Sequence, residues 1–130
     1  MRPDTDLSDL QLAIMRVLWS RREASAAEVQ AALDDRNLAI TTVSTMLTRL
    51  EKRGVVKHRA DGRLFIYRAA VTEPAVRRSM LGSLMDSLFS GDPAAVVSQL
   101  LAEHDVSAGD LDKMRKLIDD SSKRCEKRRV

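Results

Sequence analysis

The sequence predicts a mostly α-helical protein with a small β-hairpin. An N-terminal winged helix-turn-helix over residues 1–70 is followed by a three-helix dimerisation domain over residues 71–130. Three observations carry this. Three short amphipathic helices, each with its own start or stop signal, come first. After Gly54 the apolar period changes from helical to extended, and an Asp-Gly pair splits the extended run into two β-rich halves. From Thr72 onward three more helices follow whose apolar faces are too small to make a core alone.

The first helix is predicted to start at Ser8, with Gln11 reaching back as the partner of a capping box. Leu10, Ala13, Ile14, Val17 and Leu18 then make one apolar stripe. The second helix repeats the device with Ser25 and Glu28 and turns Ala26, Val29 and Leu33 inward, before the turn-forming Asp34, Asp35 and Asn37. The third is expected over Thr41 to Arg53, closed by Gly54, with Val43, Met46, Leu47 and Leu50 on its apolar side. VVKHR and RLFIYR are the hairpin strands on either side of Ala60-Asp61-Gly62, and Phe65, Ile66 and Tyr67 are expected to pack inward.

In the C-terminal half, Thr72-Glu73-Pro74, Asp92-Pro93 and Ser107 with Asp110 each open a helix. Met80, Leu81, Leu84, Leu88, Leu100, Leu111, Met114, Leu117 and Ile118 recur at helical spacing, and are the expected contacts to a second copy of the chain. The terminal SKRCEKRRV is expected to fray.

Hydrophobic residues make up 44% and charged residues 32%, which suits a folded globular chain and argues against disorder. The net charge of +3 is unevenly spread. Residues 1–48 carry five basic and seven acidic side chains, residues 49–68 carry seven basic and two acidic, and residues 71–130 carry ten of each. A net of +5 confined to twenty residues is the footprint of a polyanion-binding surface.

The third helix adds a second sign. Thr41, Thr42, Ser44, Thr45 and Thr48 put hydroxyls where helix surfaces favour Glu, Lys, Gln and Arg, with Arg49 and Lys52 beside them. Short hydroxyl side chains let a helix approach a major groove closely, and each threonine offers a methyl to thymine. Lys57, Arg59 and Arg63 in the hairpin are the candidate contacts to flanking phosphates or a minor groove.

No catalytic constellation is legible. His58 and His104 lie far apart in sequence, Cys125 has neither at metal-ligand spacing, and no pattern calls for a cofactor. A single cysteine fits a reducing compartment, and the absence of a long apolar run or a signal-peptide pattern predicts a cytoplasmic protein. Two other functions fit the same fold: a winged helix that binds protein instead of DNA, and a regulator responding to a small molecule held between the dimer helices.

LSDLQLAIMRVLWS, ITTVSTMLTRLEKRGVVKHRADGRLFIYRAA and GDPAAVVSQLLAEHDVSAGDLDKMRKLID together resemble the penicillinase and methicillin-resistance repressor family of bacteria, from Leu7 to about Asp119. The resemblance implies a homodimeric repressor on a palindromic double-stranded operator. It also implies release by cleavage in the dimer domain, downstream of a membrane-embedded sensor metalloprotease that responds to β-lactams. The family's scissile Asn-Phe pair aligns with Gln99-Leu100, so the implied cleavage position carries two different residues here. The lone Cys125 departs from the cysteine cluster of a related copper-responsive branch.

Overall fold

A computed structural model describes residues 7–128, with side chains to residue 125. Helix α1 (Asp9–Arg21) is followed by strand β1 (Glu23–Ser25), α2 (Ala26–Ala32), a 3-10 turn (Asp34–Arg36) and α3 (Ile40–Lys52). Strands β2 (Val56–Asp61) and β3 (Leu64–Ala69) come next, then α4 (Glu73–Leu88), α5 (Pro93–Glu103) and α6 (Ala108–Arg128). By their contacts these elements form two compact units that divide between Leu88 and Phe89, so α4, assigned above to the second domain, clusters with the first.

The expected caps are present. Ser8 and Gln11 form a reciprocal capping box on α1, as Ser25 and Glu28 do on α2, so each helix start satisfies two backbone amides locally. Between α2 and α3 the chain turns through Asn37 in the left-handed region, and the Gln30 side-chain amide donates to the Leu38 carbonyl at 2.8 Å. That bond ties the turn to α2 and sets where α3 departs.

The sheet has one strand more than the sequence suggests. Glu23–Ser25 pairs antiparallel with β3, giving the order β1-β3-β2. A three-residue strand is too short to show alternation, and its partner lies some forty positions away in the chain. The hairpin turn is also shifted by one residue. Asp61 pairs with Leu64, so the two central residues are Gly62 and Arg63. Gly62 has φ +61 and Arg63 does not have positive φ, which is the pattern of a II′ turn and the reason glycine stands first.

The core of the first unit joins Ile14, Met15 and Leu18 of α1 to Val29, to Val43, Leu47 and Leu50 of α3, and to Val55 and Val56, all at 1% exposure or less. Met15, outside the predicted stripe, is fully buried, whereas Leu10 and Val17 are only half-buried. Gln11 is buried because its carbonyl oxygen accepts from the Ser8 amide and from the Arg53 guanidinium, both at 3.0 Å, joining the start of α1 to the end of α3. Trp19 donates its indole N–H to the Val71 carbonyl at 2.9 Å and so anchors the chain where it leaves β3. Val76 of α4 enters this core and Met80 packs against it.

The second unit has a different balance. Among the described residues no side chain beyond Val76 is buried, while Val97, Leu100, Leu101, Leu117 and Ile118 are all more than 40% exposed. The α6 helix runs to Arg128, where fraying was expected, in keeping with the good helix propensity of its Lys, Arg and Glu residues.

Leu47→Ala, which would leave a cavity at a fully buried site, should cost about 2–5 kcal/mol in chemical denaturation. Ser25→Ala, which removes one cap, should cost about 1 kcal/mol in the same measurement.

Candidate nucleic-acid interface

Burial of Val43, Leu47 and Leu50 fixes the rotation of α3 and leaves Thr41, Thr45, Thr48, Arg49 and Lys52 exposed on its other side. Thr42 and Ser44 are half-buried at the flanks. The hydroxyls are partly committed. Thr45 donates to the Thr41 carbonyl at 2.8 Å and Thr48 to the Ser44 carbonyl at 3.0 Å, each one helical turn back. A threonine hydroxyl has a single proton, so in this state these two side chains present lone pairs and a methyl to a partner and have no free donor. The start of α3 is open, since Ala39 provides no side-chain cap and the first-turn amides are left for solvent or a ligand.

The basic residues of the hairpin fall into two groups. Facing residues on a sheet alternate, so His58 and Tyr67 share one face while Lys57 and Arg59 lie on the other. The first face meets α3. His58 Nδ1 lies 2.5 Å from Glu51 Oε2, and Tyr67 is hydrogen-bonded to Thr48. Burial, with help from the nearby Glu51 carboxylate, raises the Tyr67 phenol above its ordinary value and keeps it neutral.

On the opposite face Arg59 is occupied. It pairs with both carboxylate oxygens of Glu23 from β1, at 2.9 and 3.3 Å, and approaches Asp61 at 4.0 Å. The hydrogen bond from Arg59 holds the Glu23 carboxyl below the usual range, and the same bond raises the Arg59 guanidinium. By contrast, Arg49, Lys52, Lys57 and Arg63 make no ion pair within 4 Å among the described residues.

Between α3 and the hairpin lies an open groove of about 400 Å³, bordered by Ile40, Ser44 and Thr48 on one side and Arg63, Leu64, Phe65 and Tyr67 on the other, with Ser25, Ala26 and Ala27 at the start of α2 as its third wall. Of the four hairpin cations, Lys57, Arg59, Arg63 and Arg68, Arg63 alone borders it. Phe65 was expected to pack inward and does not: it is 53% exposed, against 9% for Ile66 and 7% for Tyr67. Phe65 shares the face of Tyr67 but stands one residue from the turn, past the reach of the core. Its neighbour is the His58 ring, 4.5 Å away between centroids. In the sequence, alternation along VVKHR is the signal that places His58 on the α3 side.

Among the described residues no cluster of His, Cys, Asp and Glu could hold a metal ion, and no helix is long and apolar enough to cross a membrane.

Comparison with known proteins matches residues 7–120 to the family described as penicillinase repressor. The penicillinase repressor of Bacillus licheniformis is 24% identical over 125 residues, covering 95% of this chain and 98% of that one. The methicillin resistance regulatory protein MecI of Mammaliicoccus sciuri is 21% identical over 114 residues, 87% of this chain and 93% of that one. Among solved structures, the DNA-binding domain of the repressor BlaI is 32% identical, with a TM-score of 0.51 over 56% of this chain and 90% of that one.

Proposed function

The chain belongs to the penicillinase repressor family of DNA-binding transcriptional repressors, and we propose that it acts as a homodimer on a palindromic operator. The observation that carries this reading is the α3 surface. Its ridge of Thr41, Thr45 and Thr48 runs into the exposed Arg49 and Lys52, neither held by an ion pair among the described residues. With α3 in a major groove, Thr45 and Thr48 offer methyls to thymine and lone pairs to the amino groups of adenine or cytosine, while Arg49 and Lys52 reach phosphates. Thr41, Thr42 and Ser44 lie near the open helix start, where amides and hydroxyls together suit a phosphate oxygen.

In the hairpin, Arg63 takes the strand flanking the groove and Lys57 a neighbouring phosphate. Arg59 contributes less, because contact with DNA would draw it from Glu23.

Dimerisation is supported by what the helices leave uncovered. Leu81, Leu84 and Leu88 of α4 are 42–70% exposed, and an apolar groove of about 210 Å³ runs between α5 and α6 among Val97, Leu100, Leu101, Met114, Leu117 and Ile118. Each such side chain gains roughly 1.5–3 kcal/mol on full burial, so a second copy is the economical cover. The dimerisation domain, taken from residue 71 onward, thus draws α4 from the first unit. Met80 and Leu111 are less exposed than their neighbours and contribute at the margin. A twofold axis would set the two α3 helices about 34 Å apart, one turn of duplex.

Release by proteolysis is proposed at Gln99-Leu100, which sits within α5. Leu100 borders the apolar groove, so a cut there would divide the surface that holds the dimer. The bond is helical, and cleavage requires α5 to open first. A membrane sensor protease enters only as the upstream partner of that step.

An electrophoretic mobility shift on a duplex from this protein's own promoter, against scrambled DNA, tests the central reading; equal retention of both would overturn it. Arg49→Ala and Lys52→Ala should each lower affinity and reduce the slope of log K against log salt by about one, with Arg59→Ala having the smaller effect. Leu117→Asp should convert a dimer to monomers in sedimentation and weaken operator binding together; an unchanged sedimentation coefficient would assign the apolar face to the chain itself. Mass spectrometry of the protein from its host treated with a β-lactam should find a fragment ending at Gln99, and intact protein alone would remove the proteolytic step.

A further inference from the structure

The hairpin exposes apolar side chains at a place where a DNA-binding surface would be expected to be polar. Phe65 is 53% exposed and Leu64 58%, and Ile40 on the facing helix is 40% exposed. All three border the groove that also holds Ser44, Thr48 and Arg63. Exposed aromatic rings usually keep rotational freedom, but this one is braced. The His58 ring lies against Phe65 at 4.5 Å and 40°, and His58 is itself tied to Glu51 of α3. Two contacts in series, Phe65 to His58 and His58 to Glu51, thus hold an exposed phenyl ring beside the helix proposed to read bases.

We infer that this groove holds one sugar–phosphate strand of the bound duplex, with the Phe65 ring as its apolar wall against deoxyribose and Arg63 as its phosphate contact. The inference rests on the DNA-binding reading above. A nucleic-acid strand alternates apolar sugar faces with anionic phosphates, and the groove offers both complements: an apolar rim from Ile40, Leu64 and Phe65, and a guanidinium without an ion pair among the described residues. The surrounding segment 49–68 carries the chain's net positive charge, so two copies meeting here would repel, whereas a polyanion would be drawn in. Glu51 and His58 are positioning residues. They touch no DNA and act by fixing the ring.

The test is a salt series of binding to the selected operator duplex by the full chain and its variants, followed by fluorescence anisotropy. Phe65→Ala should weaken binding about tenfold with an unchanged salt slope, because the lost contact is apolar. Arg63→Ala should lower the slope by about one. Phe65→Tyr should retain affinity, which guards against a folding defect, and His58→Ala should cost less in a Phe65→Ala background than alone.

If Phe65→Ala bound the operator as the unaltered chain does while Arg49→Ala weakened it, the groove assignment would be wrong and the DNA-binding reading would stand. A Phe65→Ala variant that kept its operator affinity and lost self-association in sedimentation would show that the patch covers another copy, and would also overturn the inference. No selective binding by the unaltered chain would remove both readings together.

Discussion

The outward ridge of α3 is set by what the helix must hide. Val43, Leu47 and Leu50 are completely buried, and a helix with three such residues on one stripe has a single rotation that satisfies them all. That rotation turns the threonines and the two following cations outward. The rest of the first unit serves this constraint. Arg53 at the end of α3 is clasped by Gln11 of α1, the Gln30 amide secures the turn before its start, and Glu51 and Thr48 bind it to the hairpin through His58 and Tyr67. The helix is therefore held at both ends and along one flank. Its exposed side can make contacts without having to find its orientation first, which lowers the entropy cost of binding.

The second unit shows the opposite condition. With no buried side chain among its described residues, α5 and α6 have helical caps and helical spacing and lack an interior. An 11-residue helix such as α5 is marginal without tertiary packing, and even the longer α6 gains most of its stability from an apolar face that is covered. The stability of these helices and the assembly state of the protein are then one question. In the proposed dimer, operator binding would be coupled to dimer formation, since each half-site contact alone is weak and the second comes at high effective concentration.

Much of the first unit was legible in the sequence because its signals are local. S-x-x-Q and S-x-x-E announce the starts of α1 and α2, Gly54 closes α3, and the change of period marks the hairpin. What escaped depends on partners distant in the chain. Glu23–Ser25 becomes a strand only because β3 lies beside it, and Arg59 is engaged only because that strand brings Glu23 within reach, 36 positions away. The exposure of Phe65 has the same origin. Its pattern is that of a core residue, and only the distance between the turn and the helices leaves it outside. The clustering of α4 with the first unit has a related origin: Thr72-Glu73-Pro74 begins a new helix, yet Val76 packs into the earlier core.

The hydroxyl ridge is where sequence and structure together say more than either alone. From the sequence, five hydroxyls on one helix suit a close approach to a major groove. In the structure, Thr45 and Thr48 turn their only protons back to carbonyls of their own helix. This bond resolves the conflict between threonine and helix: it settles the side-chain rotamer that β-branching restricts and removes the unsatisfied donor. The consequence is a surface that accepts and packs more readily than it donates. Phosphate oxygens, which only accept, gain little from such a surface, whereas thymine methyls and exocyclic amino groups gain directly. The division of labour follows from chemistry: the middle of α3 is suited to base edges, and charge must come from Arg49, Lys52 and the hairpin, which are the positions where the chain carries its excess of cations.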